Sequence, residues 1–206
     1  MTLAESLRAC PIVAILRGLR PDEAVAVGEA IVAAGIRILE VPLNSPEPLR
    51  SIGRLARHFG QNALVGAGTV LDPAQVAGIA ERGGRLIVTP HADPVIVRAA
   101  KEQGMFAVPG FFTPGEAFSL LAAGADGLKL FPAEAASPAV LKALMAVLPK
   151  GTPVLPVGGI GADNMAAWRA AGAAGFGVGS SLFRPGDTPA EVGARARALR
   201  DALEPV

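Results

Sequence analysis

A lysine inside an apolar segment is the residue whose surroundings point most directly to chemistry. Lys129 lies in the run GLKLF at 127–131, whereas Lys101, Lys142 and Lys150 lie in polar helical or helix-flanking sequence. Removal from water disfavours an ammonium ion, so a buried lysine has a lowered pKa and is available as a neutral amine that attacks a carbonyl. We therefore interpret Lys129 as a reactive amine. A buried ion pair and a lysine that reaches the rim are the structural alternatives.

Two further charged residues lie at the ends of apolar segments. Glu40 lies near the end of 36–41, and Arg17 ends 12–17. A carboxyl group beside an imine-forming lysine can move the protons that imine formation and carbon–carbon cleavage require. An arginine fork can hold a carboxylate or a phosphate. An ion pair of Glu40 with Arg17 or Lys129 explains the same residues, and the sequence leaves both interpretations open.

Two glycine-rich segments suggest an anion site. Residues 154–159 end in Gly158-Gly159, and residues 175–181 contain Gly179-Ser180. Glycines let backbone amides approach an anion, and barrels of alternating strands and helices often hold phosphate after strands 7 and 8. The two pairs together predict a phosphorylated ligand, although tight turns would explain either pair alone.

The elements that position these residues are eight short apolar segments rich in Val, Ile and Leu. Such runs without strict alternation are typical of parallel strands buried on both faces. Their starts are about 20 to 28 residues apart, the size of one strand–helix unit. We predict an α/β fold, a single-domain (β/α)8 TIM barrel over residues 1–206, in which the carboxyl ends of the strands meet. The segments are 12–17, 36–41, 64–70, 86–89, 105–108, 127–131, 154–157 and 175–179.

Strand alternation and helix-start patterns add detail to this fold. Side chains alternate along a strand, so if Leu128 and Leu130 face the helices, Lys129 points inward, and Glu40 shares a face with Ile38. A capping residue followed by proline is typical of a helix start. Six such pairs predict helix starts, at Ser45-Pro46, Asp72-Pro73, Asp93-Pro94, Thr113-Pro114, Ser137-Pro138 and Thr188-Pro189.

Composition excludes several classes of protein. The 206 residues carry 19 Lys+Arg against 18 Asp+Glu, a net charge of +1, which argues against a nucleic-acid partner. No apolar run reaches the length of a membrane span, and the first residues do not resemble a signal peptide. The single cysteine, Cys10, favours a reducing, cytoplasmic location. His58, His91 and Cys10 are not clustered, so we expect no metal site.

The motifs together resemble the class I 2-keto-3-deoxy-6-phosphosugar-acid aldolases. The resemblance spans nearly the whole chain and follows the family's order. The matching motifs are IVAILRG at 12–18, EVPLNSP at 40–46, GAGTVL at 66–71, IVTP at 87–90, LKLFP at 128–132 and VGG at 157–159.

The resemblance implies an enzyme that splits a six-carbon keto acid into pyruvate and glyceraldehyde 3-phosphate. It implies no metal or organic cofactor, and it suggests a homotrimer. Lys129 would be the Schiff-base lysine and Glu40 the general acid and base. The remaining site residues would be Arg17 and Thr69 as substrate contacts, Pro90 and Phe131 as pocket lining, and Gly158, Gly159, Gly179 and Ser180 as the phosphate site.

The family has two branches that act on epimers differing at C4. Gluconate-type enzymes usually follow the catalytic Glu with a Thr-Leu-Arg-Thr pattern, whereas the residues at 42–46 here, PLNSP, resemble the galactonate-type branch. The FPAE motif at 131–134 is closer to the gluconate type. We give more weight to the residues that follow Glu40 into the barrel mouth, and we predict the 2-dehydro-3-deoxy-6-phosphogalactonate substrate, with its gluconate epimer as the alternative. A phosphate-binding barrel synthase and a non-catalytic sugar-phosphate sensor are rival functions. Leu120 and Trp168 could serve either an interface or the core.

Overall fold

Each of the eight apolar segments contains a parallel strand in the computed structural model, which describes residues 1–203. The fifth segment differs from the prediction, because a further two-residue strand follows it. Pro109 separates the two strands, since proline has no amide to donate to the ladder. The strands are β1 (Ile12–Ile15), β2 (Ile38–Pro42), β3 (Leu64–Gly68), β4 (Leu86–Val88), β5 (Phe106–Val108), β6 (Gly110–Phe111), β7 (Leu128–Leu130), β8 (Val154–Pro156) and β9 (Phe176–Val178).

The strands form a closed ring. One sheet has the order β5-β4-β3-β2-β1-β9, and the other has the order β6-β7-β8. The chain itself joins β5 to β6 through Pro109, and a parallel bridge between Val157 and Gly177 joins the other two edges. With helices between the strands, this is the predicted (β/α)8 barrel. Residues 204–206 of the predicted domain lie outside the described residues.

Helices connect successive strands on the outside of the barrel, and one more precedes β1. Strands β1, β3, β7 and β9 end one or two residues earlier than predicted. The predicted site residues Arg17, Thr69, Phe131 and Gly179 therefore lie just beyond them, in the loops. The helices are α1 (Leu3–Ala9), α2 (Ala24–Ala33), α3 (Pro48–Phe59), α4 (Gln75–Glu81), α5 (Pro94–Glu102), α6 (Pro114–Ala122), α7 (Pro138–Met145), α8 (Met165–Ala170) and α9 (Pro189–Asp201), with a 3-10 turn at Ala133–Ala135.

Four of the six predicted helix starts are confirmed by side-chain caps. The capping residues Asp93, Thr113, Ser137 and Thr188 each accept a hydrogen bond from a backbone amide of the first turn.

The other two predicted starts are wrong, because the capping side chains have other partners. The Ser45 hydroxyl accepts from the Gly18 amide at 3.0 Å, and α3 begins at Pro48. The Asp72 carboxylate accepts from the Ala74 amide at 2.8 Å in a turn before α4.

The barrel interior and the helix layer form two separate apolar clusters. The interior cluster joins one face of the strands to Leu3 and Leu7 of α1, which covers the amino-terminal end of the barrel. Leu120 and Trp168 are buried in the helix layer, so both belong to the core. Within residues 1–203, no helix is both long and apolar enough to cross a membrane.

Candidate active site

Lys129 and Glu40 face the same space inside the barrel, as strand alternation predicts. Lys129 of β7 is 6% exposed and Glu40 of β2 is 2% exposed. The free space between them is about 10 Å³, close to what one water molecule needs. We call this space the inner chamber. Its lining is Leu3, Val13, Glu40, Leu86, Val88, Val108, Lys129, Leu155, Val157 and Gly177.

Burial dominates the protonation of both groups. Removal from water lowers the pKa of Lys129; the Glu40 charge opposes that change, and the Arg17 charge adds to it. Burial likewise raises the pKa of Glu40, against the effects of Lys129 and Arg17. Within residues 1–203 no direct ion pair joins Lys129 or Arg17 to Glu40, and Lys129 does not reach the rim. Burial in the chamber therefore disfavours the charged form of each group, whereas the charge of either group stabilises the charged form of the other.

Glycine and phenylalanine shape the chamber around these two groups. The Lys129 Nζ lies 4.7 Å from the centre of the Phe131 ring, which covers it from the loop after β7. A methyl group placed on Gly68 would overlap the Oε1 atom of Glu40. Gly68 is therefore the residue that leaves room for the carboxyl group.

An outer pocket of about 380 Å³ lies next to the inner chamber at the carboxyl ends of the strands. Val157 and Gly177 line both spaces, so the two are adjacent. A pocket of this volume accommodates a small metabolite. Its lining is Ile15, Arg17, Phe131, Glu134, Val157, Gly158, Gly159, Ile160, Gly177, Gly179, Ser180, Ser181, Phe183, Arg184 and Pro185.

Backbone amides of two loops are free on one side of the outer pocket. In the described part of the chain, the amides of Gly159, Ile160, Ser180 and Ser181 donate no hydrogen bond. The last two belong to a turn in which Gly179 O accepts from the Leu182 and Phe183 amides. Unpaired amides from two glycine-rich loops form a concave donor set that suits an anion.

Arg17 lies exposed at the mouth of the outer pocket. Among residues 1–203 its guanidinium has no ion-pair or hydrogen-bond partner. The hydrogen bond from the Gly18 amide to the Ser45 hydroxyl fixes the backbone beside it. Arg17 is thus positioned, with its donors available to an anionic ligand.

Thr69, predicted as a substrate contact, and Pro90, predicted as pocket lining, line neither space. Thr69 directly follows Gly68 and has a left-handed backbone with φ of 54°. Pro90 lies in the loop after β4, where its carbonyl carbon lies only 2.5 Å from where a Cβ of Gly110 would be. The structure brings together Lys129 and Glu40 inside. It groups Arg17, Phe131, Gly158, Gly159, Gly179 and Ser180 outside.

Sequence reasoning did not predict Glu134 and Arg184, which also line the outer pocket. The Glu134 side chain packs over Gly158 and Gly159. The Arg184 Nε donates to the Ser180 carbonyl at 3.0 Å. Arg184 follows Ser180 by four positions, a spacing that one turn brings together, and this was the available signal. Glu134 ends the FPAE motif, but nothing in that motif marked it as a residue of the pocket.

The family model for KDPG and KHG aldolases matches residues 3–191. A 2-dehydro-3-deoxy-6-phosphogalactonate aldolase of Escherichia coli (strain K12) is 46% identical over 198 residues, 94% of this chain and 97% of that protein. A probable 2-dehydro-3-deoxy-6-phosphogalactonate aldolase of Rhizobium meliloti (strain 1021) is 45% identical over 196 residues, 95% of this chain and 92% of that protein.

Solved structures agree with these relatives. A structure described as native KDPGal superimposes with a TM-score of 0.92 at 46% identity, covering 93% of both chains. A protein cage designed by fusing symmetric oligomeric domains gives a TM-score of 0.91 at 46% identity, over 93% of this chain and 71% of that one. A KDPG aldolase from Legionella pneumophila, with pyruvate captured as a covalent carbinolamine, gives a TM-score of 0.84 at 25% identity, covering 97% and 98%.

Proposed function

Because this chain belongs to the KDPG and KHG aldolase family, we propose that Lys129 is its Schiff-base lysine and Glu40 its general acid and base. The family consists of class I, pyruvate-dependent aldolases, which are lyases. For this chain we propose the reversible cleavage of 2-dehydro-3-deoxy-6-phosphogalactonate to pyruvate and D-glyceraldehyde 3-phosphate. Relatives named for that activity are 45% and 46% identical to it.

One observation carries this proposal: a buried amine and a buried carboxyl group share a chamber without a direct ion pair. A structural salt bridge would place the two charges in contact, because close pairing is what offsets the loss of hydration. Here burial holds the pKa of Lys129 down and that of Glu40 up. A neutral amine can attack, and a protonated carboxyl group can donate.

The reaction follows from these two groups. The Lys129 amine attacks the C2 ketone, and Glu40 assists loss of water to give a protonated imine. The imine accepts the electron pair of the breaking C3–C4 bond, while Glu40, through water, takes the proton of the C4 hydroxyl. Glyceraldehyde 3-phosphate leaves, C3 of the enamine is protonated, and water releases pyruvate from Lys129. The step needs no metal or organic cofactor.

The outer pocket supports a phosphorylated substrate. The free amides of its two glycine-rich loops favour the phosphate at Gly158, Gly159, Gly179 and Ser180. Arg17, at the mouth, supplies a positive charge for an anionic group. We propose that Phe131 lines the substrate site beside the Lys129 amine. We propose that Thr69 and Pro90 contact the substrate at the rim, outside the inner chamber and the outer pocket.

Borohydride trapping with pyruvate, followed by peptide mass mapping, tests the proposal. We expect one adduct, on Lys129, and faster cleavage of the galactonate substrate than of its gluconate epimer. If the adduct forms but the gluconate epimer is cleaved faster, the proposed mechanism stands and the proposed substrate is wrong. A folded protein without an adduct would overturn the mechanism in favour of a phosphate-binding synthase or a sensor.

Gly68→Ala is expected to lower cleavage by about tenfold or more, because the new methyl group would overlap the present position of the Glu40 Oε1 atom and must displace the carboxyl group. Gly115→Ala is the control, since nothing lies within 4 Å of a methyl group there. Steady-state cleavage rates of both variants give the comparison. Equal activity of the two variants would show that the position of Glu40 does not matter.

We propose a homotrimer, as the family resemblance suggests. Four exposed apolar side chains lie on consecutive strand–helix units, in the loops or helices that follow β3, β4 and β6. Exposed apolar surface of this kind is typical of interfaces between subunits. A relative at 46% identity is part of a cage built from symmetric oligomeric domains. The four side chains are Leu71, Val95, Phe112 and Phe118, with exposures between 39% and 57%.

Phe118→Glu is expected to dissociate the oligomer. Val147→Glu is the control, because Val147 is also exposed but lies between α7 and β8, where the chain returns to the amino-terminal ends of the strands. Light scattering after size exclusion should give three times the 20.8 kDa chain mass for the wild type and for Val147→Glu, and one chain mass for Phe118→Glu. Three chain masses for both variants would place the interface elsewhere.

We propose a cytoplasmic location, since the chain has one cysteine and Cys10 is buried and unpaired. Such a protein gains no disulfide from an oxidising compartment. Cell fractionation with an antibody tests this proposal.

A further inference from the structure

Leu3 of the amino-terminal helix lines two different cavities. It is one of the residues of the inner chamber, together with Lys129 and Glu40. It also lines a cavity of about 150 Å³ at the amino-terminal end of the barrel, between α1 and the residues Phe106, Asp126 and Pro153. That second cavity, which we call the lower cavity, is large enough for several water molecules. Among the lining residues of the two spaces, Leu3 is the one they share, and its side chain is 3% exposed.

From this position we propose that Leu3 is a positioning residue, which acts on Lys129 by keeping water of the lower cavity out of the inner chamber. This inference rests on the proposed function of Lys129. Val157 and Gly177 lie between the inner chamber and the outer pocket, whereas Leu3 lies on the side of the amino-terminal cavity, so Leu3 limits the water that can arrive from that side.

The contacts of α1 hold this barrier in place. Thr2 and Glu5 form a reciprocal capping box at the start of the helix. The amino group of Met1 donates to Gln61, and Arg85 donates to the Met1 carbonyl. These bonds fix the first turn, and Leu3 is its first helical residue. The side chain is thus directed into the barrel by backbone contacts that a change at position 3 leaves intact.

The surroundings of Lys129 determine how water in the chamber would change its pKa. The charged groups that act on its amine are Glu40 from β2 and Arg17 from the loop after β1, and the other chamber residues are apolar. Loss of hydration is the largest cause that lowers the pKa of Lys129 and the largest that raises that of Glu40. Water admitted from the lower cavity would move the pKa values of Lys129 and Glu40 back towards their ordinary ranges.

The test is the pH dependence of pyruvate trapping on Lys129, measured with cyanoborohydride and mass spectrometry. For Leu3→Ala we expect the midpoint of the acid limb to rise by about half a pH unit or more. Trapping below the midpoint would then be about threefold slower, and the rates would converge at high pH. Leu3→Met, in which the new side chain fills the same space, should have the pH profile of the wild type.

Leu7→Ala is the matched control. Leu7 lies one turn further along α1 and in the same apolar cluster, but it lines only the lower cavity. Its truncation should lower stability without moving the midpoint. Equal profiles for Leu3→Ala, Leu7→Ala and the wild type would overturn the inference while the adduct still supports the mechanism. If Leu3→Ala does not fold, Leu3→Val gives the same comparison with one methylene lost, and an unchanged midpoint again overturns the inference.

No adduct in the wild-type protein would instead overturn the proposed function. The two failures are therefore distinguishable in one experiment.

Discussion

Lys129→Met is expected to abolish aldol cleavage, with a loss on the order of 10⁴-fold or more, because no other residue of the chamber can form an imine. Methionine has nearly the length and volume of lysine, so the chamber stays filled. No adduct with pyruvate should form anywhere in the variant. Cleavage rates and borohydride trapping measure both expectations.

The same variant should be at least as stable as the wild type. The wild-type amine is buried without a direct ion pair, and burial of an ionisable group in an apolar space is unfavourable. Replacing it with a thioether side chain removes that penalty. The expected result is an unchanged or higher melting temperature with no activity, which is typical of a residue retained for function.

Lys142→Met is the control for both readouts. Lys142 is exposed on α7, and its replacement should leave cleavage, trapping and melting temperature close to those of the wild type. Cleavage by Lys129→Met near the wild-type rate would exclude Lys129 as the nucleophile. A melting temperature many degrees lower would mean that Lys129 has a structural role that its contacts do not show.

Alternation along strands allowed the inner chamber to be predicted. Lys129 between Leu128 and Leu130, and Glu40 two residues after Ile38, could face only the barrel interior once the leucines faced the helices. The order of strands then brings β2 and β7 to the same interior. The fold and the central pair of groups follow from such local periodicity, which each segment carries in its own sequence.

Contacts between distant segments could not be predicted in this way. Ser45 has the pattern of a helix cap, but its hydroxyl accepts instead from Gly18, 27 residues earlier, and so supports the loop of Arg17. Glu134 enters the outer pocket because the turn after β7 packs over Gly158 and Gly159. Leu3 lines the chamber of Lys129 only because α1 covers the barrel end. None of these contacts leaves a periodic pattern.

Glu40→Gln is expected to lower turnover by about 10²- to 10⁴-fold while pyruvate trapping on Lys129 persists more slowly. Glutamine fits the space beside Gly68 but can neither take the proton of the C4 hydroxyl nor return it. The Glu40 charge raises the pKa of Lys129, so its removal should lower that pKa further. The acid limb of trapping is therefore expected at lower pH than in the wild type.

Glu134→Gln is the control for that change. The Glu134→Gln substitution also removes a carboxyl group, but from the outer pocket, at a position that does not line the inner chamber. Its turnover should stay within about tenfold of the wild type, since it takes no part in proton transfer at C4. Cleavage by Glu40→Gln at the rate of Glu134→Gln would exclude Glu40 as the acid and base. An acid limb that moves to higher pH would mean that Glu40 acts on Lys129 by another route than its charge. A large loss of turnover, with slower trapping retained at lower pH, would show that Glu40 contributes most at the proton transfer that breaks the C3–C4 bond and less at imine formation.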